Sequence, residues 1–242
     1  MTTSAPLAGI RVVELASFVA APAAGALLAD LGAEVIKVEV PWGEIYRHSF
    51  PRYAGFDSDF ALAPHFHMDN RGKRSVALDL RSADGRRDLA RLLRIADVVV
   101  SSSRPRAFEA LGVDVGAVLT ASPTVWVAIT AHGWDGPGRD RVGFGDDAAV
   151  AGGLVAPGPR FASDAIADPL TGVLAAHAAR AALTRGGSWL IDAPLARAAA
   201  YAQSLAGPPD AAPDASPPRA RRPPAPARPL GADTAAVLAA LP

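Results

Sequence analysis

The chain contains no cysteine among its 242 residues. Disulfide bonds, thiolate catalysis and cysteine-ligated zinc are therefore all excluded. It also has no excess of either charge, because 24 Lys and Arg balance 24 Asp and Glu. Without a basic excess there is little charge to displace the counterions of a nucleic acid, so we expect no nucleic-acid partner.

Long hydrophobic runs are missing too. No stretch of about 18 uncharged apolar residues occurs, so we expect no membrane span. Residues 1–6 have neither the basic start nor the apolar segment of a secretory signal, and we expect a cytoplasmic protein. Apolar residues nevertheless make up 50% of the chain, which is enough for a buried core.

Three glycine-containing motifs of common α/β enzymes are absent as well. The turn at residues 16–22 lacks G-x-G-x-x-G, and the whole sequence lacks G-x-x-x-x-G-K-[ST] and G-x-S-x-G. The sequence therefore lacks the usual phosphate-binding turn of nicotinamide enzymes and of phosphate-loop nucleotide hydrolases. The absence of the third motif makes a serine hydrolase less well supported. We expect no permanently bound cofactor.

Short apolar runs alternate with longer helical patterns along most of the chain. The patterns predict strands at 10–15, 34–38, 75–80, 97–101, 124–130 and 188–192, and helices at 22–31, 82–95, 105–110, 168–184 and 194–206. Ser82 is the predicted N-cap of the second helix. Such alternation predicts an α/β domain, a Rossmann-like and mainly parallel sheet with helices on both faces.

Composition divides the chain into three parts. Residues 1–206 form the predicted α/β domain. Residues 207–229 hold nine of the 22 prolines and almost no large apolar side chain, which is typical of an extended linker. Residues 230–242 predict a short helix, capped by Asp233 or Thr234, that docks onto the domain because so short a helix is marginal alone.

Two charged features, the run 70–75 and Asp168, could take part in binding or catalysis. The run 70–75 (NRGKRS) places three cations in a loop before a strand, where they could bind phosphates or simply form a solvated basic turn. Asp168 begins a predicted helix, followed by Pro169. It fits an N-cap, but it could also be a carboxylate nucleophile kept ionised by the helix N-terminus.

Weaker candidates involve histidine and paired carboxylates. Some of the ligands of a metal site could come from His65, His67 and Asp69. No third ligand cluster stands out, so we expect no metal. His132 follows a strand, where α/β proteins place functional groups, or is a surface turn residue. Asp146 and Asp147 are either paired carboxylates or an exposed helix start.

Several runs of the sequence together resemble one family. They are residues 6–15, 27–39, 70–80, 96–100, 136–137, 139–141 and 143–144, then Asp168 and Gly172, and finally Pro226 with 230–234. The run NRGKRSVALDL at 70–80 is the most specific. These runs resemble the family III CoA-transferases, the group of formyl-CoA transferase, carnitine CoA-transferase (carnitine dehydratase-like proteins) and α-methylacyl-CoA racemase.

The resemblance implies a role for each matching position. It makes Asp168 the catalytic nucleophile, which attacks an acyl-CoA thioester and forms a covalent aspartyl intermediate during transfer of CoA between carboxylic acids. CoA and acyl-CoA enter as substrates, with a carboxylic acid as acceptor. The implied CoA-binding positions are Phe18, Val19, Leu78, Asp79, Leu80, Arg81, Ser102, Ser103, Arg104, Arg141, Val142, Gly143, Phe144 and Gly145.

The chain departs from the family pattern in several places. Family members are generally longer, and the linker stands where the resemblance implies a small second domain with a glycine-rich loop over the nucleophile. Val19 and Val40 are apolar where a polar residue and a cation are expected. Ala110 stands where an arginine can occur, and Ser102-Ser103-Arg104 replaces an Asn-Phe-Gly-like turn.

Three functions remain open at this point. The first is CoA transfer; the second is a non-catalytic acyl-CoA-binding relative, favoured by the missing domain. The third is racemase or isomerase chemistry with His132 and Asp168 as the proton-transfer pair. The family's racemases use a histidine near residues 143–147, and this sequence has none there, so the resemblance favours transfer. It allows either a homodimer or a partner chain that supplies the missing domain.

Overall fold

A computed structural model describes residues 5–47, 63–158, 160–205 and 226–242. Its centre is a six-stranded sheet in which all neighbouring strands run parallel. The strands are β1 (Arg11–Leu15), β2 (Glu34–Glu39), β3 (Arg74–Ala77), β4 (Val98–Ser101), β5 (Val125–Ala128) and β8 (Trp189–Asp192). Their order, β3-β2-β1-β4-β5-β8, is that of a doubly wound Rossmann-type sheet.

Helices connect the strands and cover the sheet. They are α1 (Ala20–Asp30), α2 (Ala63–Asn70), α3 (Ala83–Arg94), α4 (Pro105–Leu111), α5 (Val115–Ala121), α6 (Gly145–Ala151), α7 (Ala167–Arg185), α8 (Leu195–Ser204) and α9 (Thr234–Ala239). A 3₁₀ turn spans Ile45–Arg47, and β6 (Val155–Ala156) pairs with β7 (Arg160–Phe161) in an antiparallel hairpin.

The core lies in two layers, one on each face of the sheet. Val12 of β1 packs with α1 and α7 on one face, whereas Val13 packs with α3 and α9 on the other. Successive side chains of a strand point to opposite faces, so a strand buried on both sides needs an unbroken apolar run. The valine-rich strand β4 satisfies that requirement, whereas in β1 the buried Glu14 interrupts the apolar run and is paired with Lys37 and Lys73.

The predicted fold class is confirmed. All six predicted strands and all five predicted domain helices occur, with ends that differ by a few residues. Ser82 caps α3, since its hydroxyl accepts a hydrogen bond from the Gly85 N–H at 2.9 Å. The sequence patterns missed α2, α5 and the β6–β7 hairpin, which are short and bury few large side chains.

The C-terminal segment lies along the free edge of β3. The Ser75 N–H donates to Asp233 Oδ2, and the Asp233 N–H donates back to the Ser75 carbonyl. Thr234 Oγ1 accepts from the Ala77 N–H, and Val237 is buried against the second core layer. Most of the predicted linker lies outside the described residues, so its division from the domain remains a prediction.

In the part of the chain that the structure describes, no helix is both long enough and apolar enough to cross a membrane.

Candidate active site

A cavity of about 330 Å³ opens at the carboxyl ends of β1 and β4. The strand order reverses between these two strands, and doubly wound sheets bind ligands in the crevice that this reversal creates. The turn after β1 and the turn after β4 form opposite walls. Its lining residues are Ser17, Phe18, Ala20, Ala21, Ser102, Ser103, Arg104, Ile129, Thr130, Ala131, Arg141, Val142, Gly143, Phe144, Asp168 and Leu195.

Asp168 is the buried carboxylate of this cavity, with 8% of its surface exposed. Burial raises the pKa of Asp168 to about 6, and the charges of Asp146 and Asp147 act in the same direction. The backbone N–H groups of Ala20 and Gly145 oppose this shift by stabilising the ionised carboxylate. Both belong to the first turns of helices, where N–H groups are free to face an anion.

The N–H of Gly145 can approach Asp168 because residue 145 has no side chain. A Cβ atom there would lie 1.8 Å from Asp168 Oδ2 and 2.7 Å from the Ala165 carbonyl oxygen. Any other residue would therefore push α6 away from the carboxylate. Ala165 itself has a left-handed φ of 45°, which marks a tight turn before α7.

The position of Asp168 in its helix differs from the N-cap prediction. Ile166 is the N-cap of α7, and Asp168 is the second helical residue. The helix begins two residues earlier than the Asp-Pro pair suggested, after the tight turn at Ala165. Asp168 is thus free of a capping role and directs its carboxylate at α1 and α6.

Eight of the implied CoA-binding residues line the same cavity as Asp168. They are Phe18, Ser102, Ser103, Arg104, Arg141, Val142, Gly143 and Phe144. Gly145 lies behind them against the carboxylate, and Val19 is the N-cap residue of α1. Two arginines therefore stand at the cavity that holds the buried carboxylate.

The implied residues 78–81 lie apart from this cavity. Leu80 lines a neighbouring cavity of about 190 Å³, which shares Ser17, Ser102 and Ser103 with the first. Leu78 is buried in the core. Asp79 pairs with Arg81, whose guanidinium lies 4.7 Å from the centre of the Trp42 ring.

The basic run 70–75 is not a phosphate-binding loop. Lys73 is fully buried, and its Nζ lies 2.6 Å from Glu14 Oε2, while Lys37 Nζ lies 3.1 Å from Glu14 Oε1. Arg71 pairs with Asp30, and Arg74 with Glu34. These cations stabilise the fold because their charges are already neutralised by carboxylates.

The histidines lie at two separate places in the fold. His65, His67 and Asp69 lie on α2 rather than in a loop, and His67 Nδ1 accepts a hydrogen bond from the Ala227 N–H. Within the described ranges, no group of three His, Cys, Asp or Glu side chains could hold a metal. His132 does not line the Asp168 cavity; only its neighbours Thr130 and Ala131 do.

Sequence reasoning missed two contributors to the site. The Ala20 N–H could have been found from its place at the first strand-to-helix turn of a doubly wound sheet. Tyr46 gave no signal, since it lies between unremarkable residues far from the strand ends. In the structure its ring packs edge-on against Phe18, with centroids 5.7 Å apart.

Fold and site together define a doubly wound α/β protein with a buried carboxylate at its switch point. Residues 7–225 match the CoA-transferase family III. The chain belongs to this family.

Individual relatives agree with this membership. A succinate–glutarate CoA-transferase of Agrobacterium fabrum is 37% identical over 189 residues, which are 74% of this chain and 47% of that protein. A probable fatty acyl-CoA transferase of Mycobacterium tuberculosis is 36% identical over 185 residues, covering 74% and 46%. The crystal structure of a CAIB/BAIF family protein from Brucella suis superposes with a TM-score of 0.72 at 33% identity, covering 82% of this chain and 55% of that one.

The chain spans about half the length of the curated relatives that it matches.

Proposed function

We propose that this chain transfers CoA between carboxylic acids through a covalent intermediate on Asp168. The observation that carries the proposal is the buried carboxylate facing two helix N-termini in a cavity that also contains Arg104 and Arg141. The family membership gives the reaction type, and the relatives are named as CoA-transferases.

The reaction proceeds by four acyl exchanges. A carboxylate oxygen of Asp168 attacks the donor thioester carbonyl, which releases CoA thiolate and leaves a mixed anhydride. The thiolate attacks the aspartyl carbonyl, which frees the donor acid and gives an aspartyl-CoA thioester. The acceptor carboxylate then forms a second anhydride and releases the thiolate, which attacks the acceptor's carbonyl, giving the new acyl-CoA and free Asp168.

The electrostatics of the site suit this sequence. Each attack places negative charge on an oxygen beside Asp168, where the N–H groups of Ala20 and Gly145 are fixed in advance. A pKa of about 6 leaves Asp168 mostly ionised at neutral pH while keeping it more basic than an exposed aspartate. Burial therefore raises the basicity of the nucleophile without protonating it.

Arg104 and Arg141 are the proposed anchors of the CoA phosphates. Both side chains line the cavity, and the guanidinium of Arg104 is steadied by a hydrogen bond of 2.9 Å to the Asp140 carbonyl. Guanidinium groups match phosphate oxygens in geometry and charge. The adjoining cavity that includes Leu80 gives the remainder of a long CoA molecule a continuous path.

A non-catalytic acyl-CoA-binding protein is the second candidate. The observation that favours it is the span of the chain, which covers 47% of one relative and 46% of another. An anhydride needs protection from water, and by resemblance the segment that covers the nucleophile belongs to the part of the relatives' length that this chain does not span. His132 is not among the residues that line the cavity, so the racemase alternative has less support than CoA transfer.

The setting and assembly are proposed with the function. A cytoplasmic location agrees with the lack of cysteine. A homodimer, or a partner chain that supplies a second domain, would cover the open side of the cavity.

The test is chemical trapping of the aspartyl intermediate. The purified chain is mixed with a panel of acyl-CoAs, treated with hydroxylamine or borohydride, and examined by intact mass and peptide mapping. We expect a modified Asp168 peptide in the wild type and none in Asp168→Ala. Asp164→Ala, which changes an exposed carboxylate four residues away, is the matched control and should be modified as the wild type is.

Two other outcomes would count against covalent transfer. CoA binding without an adduct from any donor would support the non-catalytic candidate. An adduct that persists in Asp168→Ala would place the nucleophile elsewhere.

A further inference from the structure

Three aromatic rings pack together at the cavity of Asp168, and two of them, Phe18 and Phe144, line it. Phe18 packs edge-on against Tyr46 and against Phe144, with centroids 5.7 and 5.5 Å apart. Phe18 and Phe144 are 41% and 54% exposed, although aromatic rings of this size are usually buried. We call Phe18, Tyr46 and Phe144 the aromatic cluster.

The backbone holds Phe18 in this exposed place. Its φ of 69° lies in the left-handed region, which an aromatic residue rarely adopts. Such strained residues concentrate at functional sites, where the surrounding structure maintains them. The turn after β1 thus presents an apolar ring beside the carboxylate when a relaxed backbone would direct it elsewhere.

Tyr46 is held just as firmly. The next residue, Arg47, donates from Nε to Glu39 Oε1 at 3.0 Å and from Nη1 to the Arg228 carbonyl at 2.9 Å. Its guanidinium also lies 4.3 Å from the centre of the Phe66 ring. The 3₁₀ turn that carries Tyr46 is therefore fixed from two directions, and the aromatic cluster is preorganised for a ligand.

Two further carboxylates act on Asp168, whereas the two arginines that line the cavity are assigned to the CoA phosphates. Asp146 and Asp147 raise the pKa of Asp168. Burial is the main cause that raises the pKa of Tyr46, followed by the charges of Asp168 and Asp164. A ligand group that sits between these carboxylates and the aromatic cluster gains from being apolar, and a second carboxylate there would be repelled.

We propose that the aromatic cluster binds the acyl group and selects apolar monocarboxylic acids over dicarboxylic acids. The selection rests on the proposed function, since it assumes that acyl-CoA enters this cavity. Arg104 and Arg141 serve the phosphates of CoA, and the acyl chain lies over Phe18, Tyr46 and Phe144. For such acids the acceptor brings a single negative charge, on the carboxylate that attacks, and the donor acid leaves with a single negative charge.

The test compares two acyl-CoAs that differ only at the chain end. Pentanoyl-CoA and glutaryl-CoA have acyl chains of five carbons, ending in a methyl group and a carboxylate respectively. Their dissociation constants, with free CoA as reference, are measured by calorimetry on the full chain carrying Asp168→Asn, which cannot react. We expect pentanoyl-CoA to bind about tenfold or more tightly than glutaryl-CoA.

Two further variants in the Asp168→Asn background separate the apolar and electrostatic parts. Tyr46→Ala should weaken pentanoyl-CoA severalfold and leave free CoA unchanged. Asp146→Asn keeps the oxygen that accepts from the Ala165 N–H at 2.6 Å but removes the charge. It should strengthen glutaryl-CoA severalfold and leave pentanoyl-CoA unchanged.

The outcomes distinguish this inference from the proposed function. Equal or tighter binding of glutaryl-CoA would overturn the acyl preference even if Asp168 is modified in the trapping experiment. A clear preference for pentanoyl-CoA without any trapped adduct would support the acyl preference and count against covalent transfer. Failure of both acyl-CoAs to bind at millimolar concentration would overturn both.

Discussion

At the scale of single residues, Asp168 gains its reactivity at the expense of stability. A carboxylate in water has a pKa near 4, whereas burial raises the pKa of Asp168 to about 6. The folded protein therefore holds the Asp168 proton more tightly than the unfolded chain does. Stability falls as the pH rises from about 4 to 6, and the whole cost is present at neutral pH.

Asp168→Asn should therefore stabilise the protein at pH 8. Removing the buried charge should raise the free energy of unfolding by about 1–3 kcal/mol. Part of this gain is lost because an amide accepts the two N–H groups more weakly than a carboxylate does. The gain should shrink towards zero below about pH 3, where the wild-type carboxyl is protonated in both states. Urea denaturation of both proteins at the two pH values measures this gain. A wild type more stable than the variant at pH 8 would contradict the raised pKa of Asp168.

The ionisation of Asp168 should also set the pH dependence of the reaction. In the active enzyme, the transfer rate should fall about tenfold for each pH unit below 6.

At the scale of elements, α1 and the sheet approach each other unusually closely at Gly25. A Cβ atom there would lie 1.9 Å from Glu14 Oε2 and 3.1 Å from Lys73 Nζ. Lys73 Nζ also donates to the Pro22 carbonyl at 2.8 Å, so the buried ion pair ties β1, β3 and α1 together. Helix α1, in turn, contributes the Ala20 N–H to the site.

Gly25→Ala should destabilise the fold, although alanine is the better helix former. Helix propensity favours alanine by about 1 kcal/mol, but displacement of a buried ion pair costs about 3–5 kcal/mol, so we expect a net loss of about 2 kcal/mol or more. Gly116→Ala in α5 is the control, because a Cβ there meets only Asp114 Oδ1 at 3.2 Å. It should change stability by less than about 1 kcal/mol. Thermal denaturation of both variants tests this, and equal effects would show that the ion pair adapts.

The sheet was predictable from the sequence, whereas the ion pairs were not. Valine-rich runs such as residues 97–101 fix strands locally. The pairing of Lys73 with Glu14 joins residues 59 apart, so the run 70–75 looked like a solvated or phosphate-binding loop. Asp168 was singled out as a nucleophile by resemblance alone, since its local pattern fits a cap equally well. Tyr46 has no local signal because only the folded chain brings it to Phe18.

At the scale of the whole molecule, the two edge strands of the sheet differ in what covers them. The edge strand β8 leaves Trp189 and Leu190 39% and 40% exposed. The opposite edge, β3, is covered by the C-terminal segment, which satisfies the N–H groups of Ser75 and Ala77. Unpaired edge strands invite association with other chains. Within the residues that the structure describes, β8 pairs with β5 alone and has no cover like that of β3.

Asp233 links this cover to the active site. Its Oδ2 accepts from the Ser75 N–H at 2.9 Å and from Arg228 Nε at 2.7 Å, and the Arg228 carbonyl in turn accepts from Arg47 beside Tyr46.

Asp233→Ala should lower the free energy of unfolding, measured by urea denaturation, by about 2–3 kcal/mol, because it leaves a buried N–H unpaired. Hydrogen exchange at residues 74–77 should accelerate as the segment undocks, while Thr234→Ser, which keeps its hydroxyl, should leave exchange unchanged. Because Arg47 loses a support, pentanoyl-CoA should also bind more weakly to Asp233→Ala. Unchanged exchange at β3 together with unchanged affinity would show that the C-terminal segment neither covers the edge nor steadies the aromatic cluster.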